Sequence, residues 1–200
     1  MIAISKHFKQ DPASPGKVFD TRKGEWLDIN NTHARVLVYE DMVKTWFLEV
    51  AKYLTMFVGQ KFMVDNEEFD PNEAGFVILQ IATSYIEGKQ QYVLGCSSMG
   101  LSKDISVKGM KKIFNINERE ANDFYDQVRC GLFHDGITRK KVWLHNDFEP
   151  LEFTSNNIKV SPNKFLSVIE EDFNDYINRL KAGNDDDLIN NFNKIWNEKH

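Results

Sequence analysis

The chain has 200 residues, 42% of them hydrophobic and 12% aromatic, so it is long enough to bury the core of one compact domain. Its formal net charge of −5 argues against bulk electrostatic attachment to nucleic acid, so any nucleic-acid contact has to be local. No stretch approaches the roughly 18 uncharged apolar residues of a membrane-spanning helix, and we expect a soluble protein of the cytoplasm.

The cysteine count indicates the redox compartment, and the charge distribution shows which part of the chain is electropositive. Cys96 and Cys130 could form at most one disulfide, so free thiols in a reducing compartment are the expectation. Residues 101–145 hold nine Lys and Arg against six Asp and Glu, a local charge of +3 that leaves −8 for the remainder. The central third is therefore the electropositive part of the chain.

The first predicted elements are a loop and a long helix. Residues 1–31 are rich in turn-forming Asp, Pro, Ser, Gly and Asn, which predicts a loop-rich lead-in without regular structure. An apolar stripe at steps of three and four residues then predicts a helix over residues 33–61, with Thr32 as its cap. The stripe expected to face the core consists of Tyr39, Val43, Trp46, Val50, Tyr53 and Phe57.

Two further helices are predicted in the middle of the chain. The second covers residues 72–87 and is closed by Gly88. Residues 94–116 look like a crossing loop with a short helix at 108–114. The third helix starts at Asn117, because Asn117 and Glu120 match a capping box, and it ends at Gly136. Its predicted core residues are Ala121, Phe124, Tyr125, Val128 and Leu132.

The last third predicts a small sheet and two more helices. Apolar runs at 142–144 and 151–153 suggest a β-hairpin. A fourth helix runs from Ser161-Pro162 to Gly183, and a short final helix follows Asp185. Their residues expected to face the core are Phe165, Ile169, Phe173, Tyr176 and Leu180 in the fourth helix and Leu188, Phe192, Ile195 and Trp196 in the last. The predicted fold class is all-α, a bundle of four long helices with a small β-hairpin between the third and the fourth. The predicted domains are a lead-in at 1–31, a helical domain at 32–183 and a C-terminal extension at 184–200.

Arg129 and His134 are the candidate catalytic residues. They stand near the end of the third helix with four residues between them. At about 100° per residue, Arg129 lies at roughly 80° and His134 at roughly 220° from the centre of the core stripe, so neither faces the core. The face between them includes an apolar side chain, Phe133, and such a second face favours packing against a symmetric copy of the chain.

An arginine and a histidine suit the cleavage of RNA. Attack of a 2′-hydroxyl on the adjacent phosphate needs a base for the hydroxyl proton, an acid for the leaving 5′-oxygen and a cation for the developing charge. Each chain offers a single suitably placed histidine, and a dimer supplies two. This chemistry needs neither a metal nor a cofactor. The cysteines and histidines also lack the close spacing of zinc ligands.

Residues 124–134, Phe-Tyr-Asp-Gln-Val-Arg-Cys-Gly-Leu-Phe-His, resemble a motif of bacterial HEPN (higher eukaryotes and prokaryotes nucleotide-binding) domains. The helix start at Asn163–Leu166 is also similar, and the resemblance covers roughly residues 33–181. It implies a HEPN-like helical bundle that forms a homodimer through the third-helix face. It also implies metal-independent endoribonuclease activity at a composite site of two Arg-x4-His motifs, often in toxin–antitoxin, CRISPR-associated or phage-defence systems.

The resemblance and the local charge suggest further site residues. Glu87 matches an acidic residue that the family often carries in its second helix. Cys130 stands where the family usually has Asn, Asp or His. Gly136 stands where some members have a tyrosine that is nucleotidylated, so the resemblance does not imply that regulation here. Asp126 lies near the motif on the same helix. Three consecutive cations just past the motif could guide an RNA backbone; they are Arg139, Lys140 and Lys141.

Other interpretations stay open. Asp126 and Arg129, three residues apart, could form a surface ion pair, and His134 could be a solvated residue at a helix end. In the same way, residues 139–141 could be a solvated basic turn. The alternative function is a non-catalytic module of the HEPN type that dimerises and binds RNA or a protein. A toxin held inactive by an antitoxin or another defence-system partner is a third hypothesis.

Overall fold

The computed structural model describes residues 1–56, 62–64, 67–69, 74–139 and 141–200. The chain forms two compact units. The first consists of residues 1–50, 92–96 and 173–200, and the second of residues 51–91 and 97–172. No helix within the described ranges is both long enough and apolar enough to cross a membrane. The domain boundaries expected from the sequence stay a prediction.

Groups of strands and groups of helices follow one another along the described chain. The α-helices are α1 (Thr32–Val43), α2 (Glu49–Thr55), α3 (Ala74–Leu94), α4 (Ser102–Phe114), α5 (Glu118–Phe124), α6 (Pro162–Ala182) and α7 (Asp186–Lys199). Within the described ranges, π-helical segments cover Lys44–Leu48, Tyr125–Arg129 and Gly131–Asp135. The strands are β1 (Ile2–Ala3), β2 (Phe8–Gln10), β3 (Lys17–Asp20), β4 (Glu25–Asp28), β5 (Phe62–Val64), β6 (Glu67–Phe69), β7 (Val142–Leu144), β8 (Leu151–Phe153) and β9 (Ile158–Val160).

The predicted all-α bundle is wrong, because three sheets accompany the helices. The first unit contains a four-stranded antiparallel sheet in the order β1-β2-β3-β4, built from the residues 1–31 that were predicted to be a loop. Its strands are two to four residues long, which is too short to show a clear period of two. Turns are nevertheless present in this segment, because Gly24 has a φ of 71° in the turn between β3 and β4.

The first predicted helix is interrupted by a π-helical segment. Asn31, and not Thr32, caps α1 by accepting a hydrogen bond from the His33 amide. The π turn at Lys44–Leu48 contains one residue more than an α-helical turn, so the helical residues after it are rotated about the helix axis. As a result the predicted core residues Trp46, Val50 and Tyr53 are exposed at 46%, 45% and 62%. Residues 57–61 of the predicted helix lie outside the described residues.

Tyr39 fulfils its predicted role in the core of the first unit. It is 6% exposed and lies at the centre of an aromatic cluster. Its ring centroid lies 4.6 Å from that of Tyr92, 6.1 Å from that of Phe173 and 5.6 Å from that of Phe192. Aromatic rings at such separations stabilise a core beyond the area they bury. This cluster connects helices α1, α3, α6 and α7.

Two helices in the middle of the chain are longer than the sequence predicted. Helix α3 passes through Gly88 and ends at Leu94, where Gly95 takes a φ of 62°. Gly88 therefore does not close the helix; a single interior glycine costs only about 1 kcal/mol relative to alanine, which packing can offset. Helix α4 begins at Ser102, so much of the predicted crossing loop at 94–116 is helical.

The predicted hairpin at 142–144 and 151–153 is also wrong in its pairing. Both runs are strands, but β9 lies between them. β9 is parallel to β7, with Val142 opposite Ile158, and antiparallel to β8, with Leu151 opposite Val160. Ile158 and Val160 are buried, and their burial explains why this third strand takes the central position.

Several local predictions are confirmed. Asn117 and Glu120 form the capping box, Gly136 has a φ of 75°, and Gly183 has a φ of 69° after the end of α6. Asp185 caps α7. The predicted core residues of the last three long helices are buried: Ala121, Phe124, Tyr125, Val128 and Leu132; Phe165, Ile169, Phe173, Tyr176 and Leu180; Leu188, Phe192, Ile195 and Trp196.

Two tyrosines of the first predicted helix should differ sharply in their contribution to stability. We expect Tyr39→Ala to lower the free energy of unfolding by about 3–5 kcal/mol, because it empties the centre of the aromatic cluster. Tyr53→Ala should change it by no more than about 0.5 kcal/mol, because Tyr53 is exposed. Urea unfolding followed by circular dichroism measures both. Equal losses in the two variants would contradict the rotation caused by the π turn.

Candidate RNA-cleavage site

The segment with the Arg-x4-His motif is a helix of unusual geometry. After α5, residues 125–129 and 131–135 are both π-helical, and the helix ends at Gly136. We call residues 118–135 the motif helix. A π-helix joins each carbonyl to the amide five residues later, so residues five apart return to nearly the same side. Arg129 and His134 are five apart and lie closer to a common side than the predicted α-helical geometry allows.

Arg129 is anchored by two other helices of the same unit. Its Nη2 donates to Oε2 of Glu87 on α3 at 2.9 Å and to Oγ of Ser102 on α4 at 3.1 Å. Ser102 in turn donates to the same Glu87 oxygen at 2.8 Å. The Arg129 and Glu87 side chains are only 17% and 15% exposed. The structure thus brings together Arg129 and Glu87, two residues proposed for the site.

The Glu87 carboxyl group is held in its ionised form. Burial alone would raise its pKa, but the hydrogen bonds from Ser102 and Arg129 outweigh burial and lower the pKa below its ordinary value. The site therefore contains a fixed pair of opposite charges. Such a pair orients the guanidinium group before any ligand arrives.

The Arg129 guanidinium group is also packed between aromatic rings. Its central carbon lies 4.5 Å from the ring centroid of Phe133 and 5.3 Å from that of Tyr125, distances at which cation–π attraction operates. The only hydrogen bonds of the guanidinium group to described residues are made by Nη2. Nε and Nη1 remain available as donors to an anionic ligand.

His134 lies at the open end of the motif helix. Its side chain is exposed, and it makes no hydrogen bond or ion pair with any residue that the structure describes. Both ring nitrogens can therefore exchange protons with a ligand.

Two other candidates near the motif have roles that the sequence did not indicate. Asp126 does not pair with Arg129; both of its carboxylate oxygens accept from Nζ of Lys103 at 3.3 Å. Cys130 joins the two π-helical segments and is a half-buried free thiol, and Cys96 is also free. Neither Asp126 nor Cys130 bonds to the guanidinium group of Arg129, so the site is built on Arg129, Glu87 and Ser102.

The basic turn after the motif folds back on the motif helix. Arg139 donates from Nε to Asp135 at 3.0 Å and from Nη1 to the carbonyl oxygen of Asp126 at 3.0 Å. Arg139 is thus a structural residue as well as a candidate for RNA binding. Lys140 lies outside the described residues. Lys141 is exposed and lines a cavity of about 260 Å³ together with Arg119.

Gly131 and Ser102 are the site residues that sequence reasoning missed. A Cβ atom on Gly131 would lie 2.6 Å from the carbonyl oxygen of Ile137 and 3.1 Å from the backbone nitrogen of Arg139, so only glycine lets the turn approach the helix. An isolated glycine inside an apolar helical pattern is a known signal of such an approach. Ser102 carried no usable signal, because its contact partners lie 15 and 27 positions away.

No family model matches the chain, and no solved structure matches it at a significant level. The HEPN resemblance stays a prediction from the sequence. Within the ranges that the structure describes, no group of three or more His, Cys, Asp and Glu side chains is arranged to hold a metal ion.

The pair of Glu87 and Arg129 predicts a pH-dependent loss of stability. We expect Glu87→Gln to lower the free energy of unfolding by about 1–3 kcal/mol at neutral pH, because it removes the charge that accepts two hydrogen bonds. Folding lowers the Glu87 pKa below its ordinary value of 4.5. The contribution is therefore complete above that value and is lost as the pH falls through the lower folded pKa.

Urea unfolding of the wild type and the variant at several pH values between neutrality and acid tests this dependence. The difference between the two proteins should narrow in acid, where the wild-type carboxyl group is protonated. Glu171→Gln, at an exposed position of α6, is the matched control and should leave stability nearly unchanged. A difference that stays constant down to acid pH would contradict the ionised pair.

Proposed function

We propose that the protein is a metal-independent endoribonuclease that acts as a homodimer, with Arg129 and His134 of each copy in a composite site. The observation that carries this proposal is the fixed guanidinium group of Arg129, held by Glu87 at 2.9 Å and close along the helix to an unpaired, exposed His134. A preoriented cation and a free imidazole are two of the three groups that phosphodiester cleavage through a 2′-hydroxyl requires.

The reaction follows from the groups available. One imidazole takes the proton of the 2′-hydroxyl, and the 2′-oxygen forms a bond to phosphorus. The bond between phosphorus and the 5′-oxygen breaks, and a second imidazole protonates that oxygen. The products are a 2′,3′-cyclic phosphate and a 5′-hydroxyl. Nε and Nη1 of Arg129 donate to the non-bridging oxygens, whose charge grows in the transition state.

The second imidazole comes from a second copy of the chain. Apolar side chains flank the motif: Phe133 is 41% exposed and Ile137 is 60% exposed. Leu101, 46% exposed, directly precedes Ser102 of the site. Exposed apolar groups around a half-complete site support a symmetric interface that buries them and brings the two motifs together.

The RNA backbone would approach along the basic turn. Lys141 has no side-chain partner among the described residues and is free to bind a phosphate. Arg139 and Lys140 directly precede it in the sequence, and Arg139 pairs with Asp135. Free cysteines agree with a cytoplasmic location. In a toxin–antitoxin or phage-defence setting, an antitoxin or other partner would control access to the cleft.

A specific observation also favours the second candidate function, a non-catalytic RNA- or protein-binding module. The charge of Arg129 is already matched by Glu87, and the thiol of Cys130 offers no strong hydrogen bond next to the arginine. Such a module would dimerise and bind RNA without cutting it. Binding and cleavage therefore have to be measured on the same samples.

Substitution of the two motif residues tests the catalytic proposal. The wild type, in buffer with EDTA, should cut labelled single-stranded RNA or tRNA into fragments with cyclic-phosphate ends. We expect Arg129→Ala and His134→Ala each to lower the cleavage rate by about 10²–10⁴. The matched control is His145→Ala, which removes an exposed histidine of the same unit and should cut at the wild-type rate. Undiminished cleavage in both motif variants would refute the assignment.

Mixing of subunits tests the composite site separately. Wild type and His134→Ala are dissociated, mixed in equal amounts and allowed to reassociate. If both histidines are needed, only dimers with two wild-type copies cut. The mixture then has about one quarter of the activity of the same total amount of wild-type protein. If each copy acted alone, the mixture would have about one half of that activity, and this result would exclude the shared mechanism.

A further inference from the structure

A second histidine, His7, lies in a site of the first unit that the proposed ribonuclease reaction does not use. His7 belongs to the loop that connects β1 and β2, and it contacts Asp41 on α1. Its backbone N–H donates to Oδ2 of Asp41 at 2.9 Å, and its ring Nδ1 lies 2.7 Å from Oδ1. Ser5 of the same loop donates its hydroxyl proton to Oδ2. The Asp41 side chain is only 4% exposed.

These contacts determine which nitrogen of His7 faces a ligand. Burial tends to raise the pKa of Asp41, but hydrogen bonds from Ser5 and His7 lower it further than burial raises it. The carboxylate is therefore ionised and can only accept, so Nδ1 of His7 carries a proton. Nε2 is left to exchange a proton with a ligand. Ser5 is fully buried behind the carboxylate and is not a nucleophile.

Arg22 lies beside His7 at the same cavity. Its Nε and Nη2 donate to the buried carboxylate of Asp20 at 3.1 Å each, and its Nη1 lies 3.5 Å from Asp41. The guanidinium carbon lies 5.0 Å from the ring centroid of Phe8. Arg22 is thereby held in one orientation, although its side chain is 46% exposed. A fixed guanidinium group is well suited to bind a phosphate.

The cavity that His7 and Arg22 line has a suitable size and several cations. Its volume is about 500 Å³, within the range of small-molecule sites. Its lining contains four cations and three carboxylates, and the buried carboxylate of Asp20, which pairs with Arg22, balances the remaining positive charge. The cations are Arg22, Lys23, Lys44 and Lys181, and the carboxylates are Glu40, Asp41 and Glu49.

The three lysines of this cavity all pair with carboxylates. Lys44 and Lys181 pair with Glu40, at 2.8 and 2.5 Å, and Lys23 pairs with Glu25 at 3.4 Å. Arg22 pairs with Asp20 and Asp41 but keeps a second N–H on each of Nη1 and Nη2. Nε2 of His7 has no partner among the described residues. A ligand that carries two negative charges on one tetrahedral group would satisfy both at once.

We propose that His7 and Arg22, oriented by Asp41 and Asp20, bind the phosphate group of a small phosphate monoester, with His7 sharing a proton with that phosphate. This site is independent of the motif helix, and its existence does not depend on ribonuclease activity. It is a binding site with an acid–base group in place.

Nuclear magnetic resonance of the histidine rings in the full-length protein provides the test. The probes are inorganic phosphate and adenosine monophosphate, with adenosine as the control that lacks a phosphate. The Nε2 and Cε1 signals of His7 should shift in a saturable way with both phosphates and not with adenosine. The signals of His33, His134, His145 and His200 identify binding elsewhere. A His7 signal that does not move with either phosphate would overturn the proposal.

Two variants separate binding from folding. His7→Asn keeps a donor for Asp41 but removes Nε2, and we expect it to weaken phosphate binding, measured by calorimetry, by about tenfold or more. Arg22→Lys keeps the charge but loses the planar set of N–H donors of the guanidinium group, and it should weaken binding as well. His33→Asn, at an exposed position in α1, should bind as the wild type does. Unchanged affinity in the two site variants, with unchanged melting temperatures, would show that the cluster only anchors the N-terminal sheet.

Discussion

The carboxylate of Glu87 holds together the three helices around the motif. It belongs to α3, accepts a hydrogen bond from Ser102 at the start of α4, and accepts another from Arg129 on the motif helix. Because the pair is mostly shielded from solvent, removal of either partner leaves an uncompensated charge. The guanidinium group is therefore fixed by the fold and not by a ligand. Its aromatic neighbours and the exposed His134 take their positions around that fixed point.

Features that depend on neighbouring residues could be predicted from the sequence. The cap of the motif helix needs only Asn117 and Glu120, and its end needs only a glycine with positive φ at Gly136. The inward stripes of α6 and α7 follow a regular helical period for the same reason. Of the site, Arg129 and His134 were identified from their spacing, and Glu87 was identified through the family resemblance.

The features that could not be predicted depend on distant contacts or on a change of helical period. Trp46 and Tyr53 continue the spacing of Tyr39, but Trp46 lies within the π turn and Tyr53 lies after it, and both are on the surface. Nothing in a single sequence marks where such a turn forms. In the same way, β9 pairs with a strand 16 positions earlier, as Val142 opposite Ile158 shows. The contact of His7 with Asp41 spans 34 positions. It could not be predicted, because the short strands that bring His7 to Asp41 could not be predicted either.

Gly131 shows that the motif combines two kinds of constraint. Arg129 and His134 are required by the proposed chemistry, whereas Gly131 is required because the carbonyl oxygen of Ile137 leaves no room for a side chain. These constraints would separate during evolution. A descendant of this chain that lost its activity could replace the histidine freely, but it would keep the glycine as long as it kept the fold. In such a lineage the glycine would be retained after the activity was lost. Its conservation alone would therefore indicate common ancestry and not activity.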